Sequence, residues 1–268
     1  MTERQVQVAS GERIGVTVLG DAASSRWVLF CHPSPGAGGF DPDPRITQRS
    51  TLSFISLDRP GYAASEAWLI PPQASPQRWA ADAGEFLAQC RTDAESIGHS
   101  AYRDLAVLGW REGCVFAAAM AAAVGDVLAA AVFVEPMTLR EAARDLRDDD
   151  VWRVERILPP AAHDEVPGLS SRVERMLAAA RTQGEAGLDA DRAAVKQRVL
   201  NESLDAIRAP SLILARDTKK GKRSARAYAR HLAQARVAVT DAAVPIATHW
   251  ARIVRYLERD HSPGAPER

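Results

Sequence analysis

Three stretches of this 268-residue chain pair an able side chain with a setting that would expose it. His249 stands just ahead of an amphipathic segment near the C-terminus. Its imidazole can serve as general base or acid near neutral pH. Arg111 is the middle residue of Gly109-Trp110-Arg111-Glu112-Gly113, where an apolar run meets an Ala-rich one. A guanidinium stays protonated and cannot attack a carbonyl, but its planar fork suits a carboxylate or phosphate. His32-Pro33-Ser34-Pro35-Gly36 is a loop of little bulk after another apolar run. Backbone N–H groups there could reach a ligand's oxygen, and the carboxylates Glu135 and Asp217 each stand just past an apolar run.

Other groups carry two readings each. Arg111 either recognises an anion or closes the site in an internal ion pair with Glu112, Glu135 or Asp58. The basic run Arg216, Lys219, Lys220, Lys222 and Arg223 is either a solvated helix start or, through Lys219 or Lys220, part of an anion site with Arg111. Cys114 is expected to be a buried thiol, and Trp110 a packing residue. Asp41 and Asp43 are expected to cap a helix.

Positioning these groups requires a sheet. Gln5–Ala9 and Ile14–Leu19 alternate in strand fashion about a Gly11 turn and predict an N-terminal hairpin. Trp27–Cys31, Leu52–Leu57, Leu105–Leu108, Leu128–Val134 and Leu212–Ala215 are short apolar runs of the kind buried on both faces of a parallel sheet, with a further strand near Val237–Val239. Helices are expected from Pro76, capped by Ser75, to about Ser96, from Cys114 to Val124, from Arg223 to Ala235 and from His249 to Arg259. Residues 137–207 are charged, Ala-rich and helical in period, and are expected to be a helical cap or a solvated excursion. The division is thus 1–136 with 208–268 as core, and 137–207 as cap. Strands alternating with helices make an α/β fold, a mostly parallel twisted sheet with helices on both faces. Ligands in such sheets bind beyond the carboxyl ends of the strands, where all the residues above fall.

In this order and spacing the motifs resemble the α/β-hydrolase family from about Arg13 to Leu257. His32-Pro33-Ser34-Pro35-Gly36 resembles its oxyanion loop, with Pro33 for a glycine. Asp58-Arg59-Pro60-Gly61-Tyr62 with Ser65 resembles its Asp-x-x-Gly-x-Gly-x-Ser loop, with Ala63 for a glycine. Gly109–Gly113 resembles the nucleophile elbow, and His249 falls where the catalytic histidine belongs. The resemblance implies the α/β-hydrolase fold and places Arg111 where the nucleophilic serine is expected. The position of the acid after the seventh strand falls near Lys219, which leaves Glu135 or Asp217 to support His249.

The charges balance, 34 basic against 34 acidic, so nothing global points to nucleic acid or a membrane surface. The three cysteines show no metal-ligand or disulfide spacing, and the N-terminus has no secretion-signal pattern, so a cytoplasmic protein without metal or cofactor is expected. Abundant Arg and Ala suggest a GC-rich bacterial source. Three functions follow. The first is an enzyme in which His249 acts as a base without a covalent intermediate on an anionic or carbonyl-bearing small molecule, with bacterial secondary metabolism as its setting. The second is an inactive homologue binding a ligand or a protein. The third is a hydrolase with a displaced nucleophile. A homo-oligomer is compatible with each.

Overall fold

The strand that carries Arg111, β5 (Asp104–Trp110), lies in the middle of the sheet and is buried from Leu105 onward. Its side chains alternate between two cores. Leu105 and Val107 face one, and Ala106, Leu108 and Trp110 the other, as a period of two requires. The structure, a computed structural model, describes residues 2–68, 73–162, 166–259 and 261. Of the C-terminal tail, expected to fray from His261 to Arg268, residues 262–268 lie outside them.

The sheet has eight strands. Besides β5 they are β1 (Thr2–Gln7), β2 (Arg13–Gly20), β3 (Arg26–Cys31), β4 (Ser53–Leu57), β6 (Leu128–Val134), β7 (Ser211–Arg216) and β8 (Ala235–Thr240). Their order is β1-β2-β4-β3-β5-β6-β7-β8. The hairpin β1–β2 is antiparallel, β2 runs antiparallel to β4, and all later pairs are parallel. The α/β sheet with its N-terminal hairpin is therefore as the sequence predicts. β5 runs two residues further than its apolar run, because Gly109 and Trp110 still pair with Phe133 and Val134 of β6.

Helices α1 (Pro44–Thr47) and α2 (Pro76–Ser96) open with side-chain caps. Asp43 Oδ1 accepts from Arg45 N at 3.0 Å, and Ser75 Oγ from Arg78 N at 3.0 Å. Helix α3 (Gly113–Val124) is buried from Gly113 to Ala121, and its alanines let it lie close on β5 and α2. Between β6 and β7 come α4 (Leu139–Asp145), α5 (Val154–Ile157), α6 (Leu169–Ala180), α7 (Ala186–Ala194) and α8 (Leu200–Ala206). The basic helix differs from expectation. α9 (Lys219–Ala229) starts earlier and stops earlier, because Thr218 caps it, its Oγ1 accepting from Gly221 N at 2.9 Å. The chain closes with α10 (Pro245–Thr248) and α11 (Trp250–Leu257), with His249 at their junction. Among the described residues no helix is long and apolar enough to cross a membrane.

Candidate functional site

Two glycines make the turn after β5 possible. A Cβ on Gly113 would meet the Cys31 carbonyl oxygen at 2.3 Å, and one on Gly109 would meet Ala117 Cβ at 2.7 Å. The turn is so sharp that Arg111 takes φ 53°, a left-handed conformation costly for a residue with a side chain. Its N–H donates to Val134 O at 2.9 Å. Glu135, at the end of β6, is held likewise at φ 51°. The two residues are thus fixed side by side at the carboxyl ends of neighbouring strands.

Arg111 does not sit in a tight ion pair. Its Nη2 lies 3.6 Å from Glu112 Oε1 and 3.8 Å from Asp145 Oδ2, and its buried Nε has no hydrogen-bond partner among the described residues. Burial disfavours its charge, but Glu112, Glu135 and Asp145 outweigh that and carry its pKa above the ordinary guanidinium value. Asp145, at the end of α4, also meets Lys220 Nζ at 3.2 Å. Lys220, rather than the exposed Lys219, therefore shares an acid with Arg111. A cleft of about 110 Å³ opens here, lined in part by Arg111, Glu135, Arg216, Lys220 and Ser224.

The loop His32–Gly36 is occupied by the protein's own side chains. Ser34 N donates to Glu112 Oε2 at 3.3 Å, and Ser34 O accepts from Arg156 Nη1 of α5 at 2.8 Å. Arg156 also binds Glu112 Oε1. Burial would raise the pKa of Glu112, yet Arg156 and Arg111 more than offset it and hold the carboxyl below its usual range. The Ser34 hydroxyl donates to Asp191 Oδ2 at 2.5 Å and accepts from Arg59 Nη2 at 2.7 Å. Arg59 is buried, spans to Asp191 with Nε and Nη2 at 3.0 and 2.8 Å, and donates to His32 O and Pro33 O. Its guanidinium lies 4.4 Å over the Phe116 ring. Tyr62 adds a hydrogen bond to Asp191 at 2.9 Å.

His32 is fully buried. Burial first, and then the charge of Arg59, keep its pKa well below the imidazole range, so the ring is neutral. Its partners fix the tautomer: Nδ1 donates to Pro33 O at 2.9 Å and Nε2 accepts from Arg59 N at 3.3 Å. It shapes the loop.

His249 stands at a different contact. Its Nε2 lies 2.7 Å from Thr240 Oγ1 at the end of β8. Glu135 Oε2 accepts from Trp110 Nε1 at 3.1 Å; burial raises its pKa in spite of Arg111 and that hydrogen bond. Asp217 is half exposed and its carboxylate pairs with Lys222. Cys114 is buried, its thiol donating to Val134 O at 3.4 Å, and burial pushes its pKa well up. Among the described residues no cluster of three or more His, Cys, Asp or Glu is placed to hold a metal ion.

The structure thus brings Arg111, Glu112, Glu135 and Ser34 together, with Lys220 beside them. Sequence reading missed Arg156, Asp191 and Asp145, which come from the segment between β6 and β7, and overlooked Arg59 inside a motif it had picked out. Nothing in the local sequence of Arg156, Asp191 and Asp145 marks them, whereas Arg59 stands inside the Asp58–Tyr62 motif.

Solved structures decide the scaffold. An enol-lactonase from Burkholderia xenovorans LB400 superposes with a TM-score of 0.72 at 13% identity, over 95% of this chain and 98% of that one. A bromoperoxidase from Bacillus anthracis gives 0.70 at 13%, over 96% and 99%. This chain has the α/β-hydrolase fold. The esterase EaEST from Exiguobacterium antarcticum gives 0.70 at 14%, over 96% and 100%. No protein-family model matches the sequence, and no curated protein does. At these identities the α/β-hydrolase fold is shared and the chemistry is not thereby carried over.

Proposed function

We propose that the chain is a binding protein on an α/β-hydrolase scaffold, which holds the anionic group of a small molecule against Arg111 and carries out no serine-type acyl transfer. One observation carries the second half. The Ser34 N–H that would meet a substrate oxyanion is satisfied by the buried Glu112 carboxylate, and Arg156 covers that carboxylate from outside. A transition state cannot use a donor already committed to a fixed negative charge. The elbow residue offers no nucleophile either, since Arg111 remains a cation.

The first half rests on the cleft. Arg111, Arg216 and Lys220 set three cations against Glu135, and the unsatisfied Arg111 Nε is buried beside them. A volume of about 110 Å³ suits a carboxylate or phosphate group rather than a whole substrate. Titration calorimetry with acetate and inorganic phosphate is expected to show saturable binding that weakens about tenfold or more in Arg111→Met. Equal affinity in that variant would discard the cleft as the site. A fluorophosphonate probe is expected to leave the protein unlabelled, and Arg111→Ser is expected not to gain ester hydrolysis.

A second reading draws on the Thr240–His249 contact. A hydroxyl 2.7 Å from an imidazole is within proton-transfer reach, which supports His249 as a base, either alone with Glu135 or Asp217 behind it or with Thr240 as a displaced nucleophile. The Thr240 oxygen also accepts from Ala242 N at 3.1 Å, a local turn contact that gives it a structural task. Probe labelling mapped to Thr240 would select this reading over the binding protein.

A further inference from the structure

A groove separate from the Arg111 cleft runs between α4 and α9. It holds about 540 Å³ and is lined by Thr138, Arg140, Glu141, Arg144, Arg147 and Arg223. Arg140 and Arg144 stand one turn apart on α4, and Arg147, in the turn that follows the helix, joins them in the lining. Arg223 faces them from the first turns of α9. Four guanidiniums therefore line one concavity on a chain whose formal net charge is zero.

The acids nearby offset this charge only in part: Glu141 pairs with Arg223, Asp145 lies near Arg144, and the exposed Asp148, Asp149 and Asp150 follow Arg147 in the chain. Glu141 is the one carboxylate of the lining, and it is already spent. It closes the cap of α4 on Thr138, accepts from Ser224 Oγ at 2.7 Å and from Arg223 Nη2 at 2.8 Å. Asp145 lies 3.8 Å from Arg144 Nε but serves Lys220 more closely. Arg140 and Arg147 are exposed and have no ion-pair partner among the described residues. Arg223 is about two-thirds exposed, so most of its fork remains open to a ligand.

We infer that this groove is a binding site for a compact polyphosphate, a ligand with two or more adjacent phosphate groups. Planar forks aimed from two helices match phosphate oxygens bidentately, and several forks within one concavity favour clustered over single charges. No aromatic ring lines the groove, so it offers no platform for a nucleobase, and the phosphates themselves carry the recognition.

The test is titration calorimetry of the whole protein with pyrophosphate, tripolyphosphate and orthophosphate at two salt concentrations. The expected order is tripolyphosphate, pyrophosphate, then orthophosphate, with affinity falling as salt rises. The double variant Arg140→Ala/Arg147→Ala is expected to weaken tripolyphosphate binding at least tenfold, while its circular dichroism melt stays within a degree or two of the parent because both side chains are exposed. In an Arg111→Met background, where the cleft no longer contributes, adding Arg140→Ala/Arg147→Ala is still expected to weaken tripolyphosphate binding at least tenfold, which separates this groove from the cleft. Undiminished binding by the double variant, no binding of either polyphosphate by the parent, or tighter binding of a short DNA duplex than of tripolyphosphate would each overturn the assignment.

Discussion

At the scale of residues, the firmest feature of the site is a buried pair. Arg59 and Asp191 leave 2% and 3% of their side chains exposed, and each also satisfies its remaining hydrogen-bonding atoms with Ser34, Tyr62 or loop carbonyls. Removing one member strands the other charge in the core, at a cost of about 3–5 kcal/mol. Asp191→Ala is expected to lose that much in urea unfolding. Arg59→Met with Asp191→Leu is expected to recover only part of it: no charge is orphaned, but the His32 and Pro33 carbonyls and the Ser34 and Tyr62 hydroxyls lose their partners. A single variant within ~1 kcal/mol of the parent would show that the pair does not act as described. The residue scale is also where the sequence was least legible. His249, Arg111 and Ser34 could be picked out because local motifs surround them. Asp191 could not, since the partner that gives it meaning is 132 residues away and its own helix is an ordinary charged one.

At the scale of elements, helix α7 reaches the loop after β4 only because glycine meets glycine. A Cβ on Gly61 would lie 2.5 Å from Gly187 N, and one on Gly187 would lie 2.6 Å from the Tyr62 ring. Helix propensity favours Ala over Gly by about 1 kcal/mol in a helix interior. Gly187→Ala is nevertheless expected to destabilise, by roughly 1–3 kcal/mol, as the ring and helix are forced apart. Gly84→Ala in α2, where an added Cβ meets nothing within 4 Å, is the control and is expected to stabilise by up to ~1 kcal/mol. Thermal melts of the two variants should therefore move in opposite directions, and parallel shifts would remove the close-approach argument. Elements were legible where a cap and an apolar period agreed, as at Ser75 and α2. The start of α9 is set by the Thr218 hydroxyl rather than by the basic run that follows it.

At the scale of the whole molecule, two carboxyls shape the response to pH. Asp82 on α2 is raised to about 7 from 3.8, by burial first and then by Glu12 beside it, with Arg78 opposing. Glu12 itself binds Trp68 Nε1 and Arg78 Nη2 at 3.2 and 2.9 Å, so these groups join the hairpin turn to α2. A raised acid binds its proton more tightly when folded. Its contribution to stability is complete below the unfolded value and is lost as pH rises from 3.8 towards 7. Glu141 is the opposite case: burial alone would raise it, but Arg223, Ser224 and Thr138 bring it to about 2, so its contribution is lost as pH falls below 4.5. Asp82 therefore lowers stability, read as melting temperature, towards neutrality, while Glu141, Glu112 and the neutral His32 lower it towards acid. Asp82→Asn should flatten the decline towards neutrality, and an unchanged profile would rule out Asp82 as its source. At this scale the sequence was most informative. Apolar runs at strand spacing predicted the parallel sheet, its hairpin and where β5 lies, because strand burial depends on local composition. What fills the space above the sheet depends on contacts made by a distant segment, and that could not be read in advance.

The Arg59–Asp191 pair also constrains the history available to this chain. A form without the pair would carry neither charge there. Passing between the two states one substitution at a time means crossing a form with a lone buried charge, several kcal/mol less stable in a protein whose whole margin is about 5–15 kcal/mol. The pair therefore acts as a ratchet. Once both members are in place, the pair is easier to keep than to undo by single substitutions.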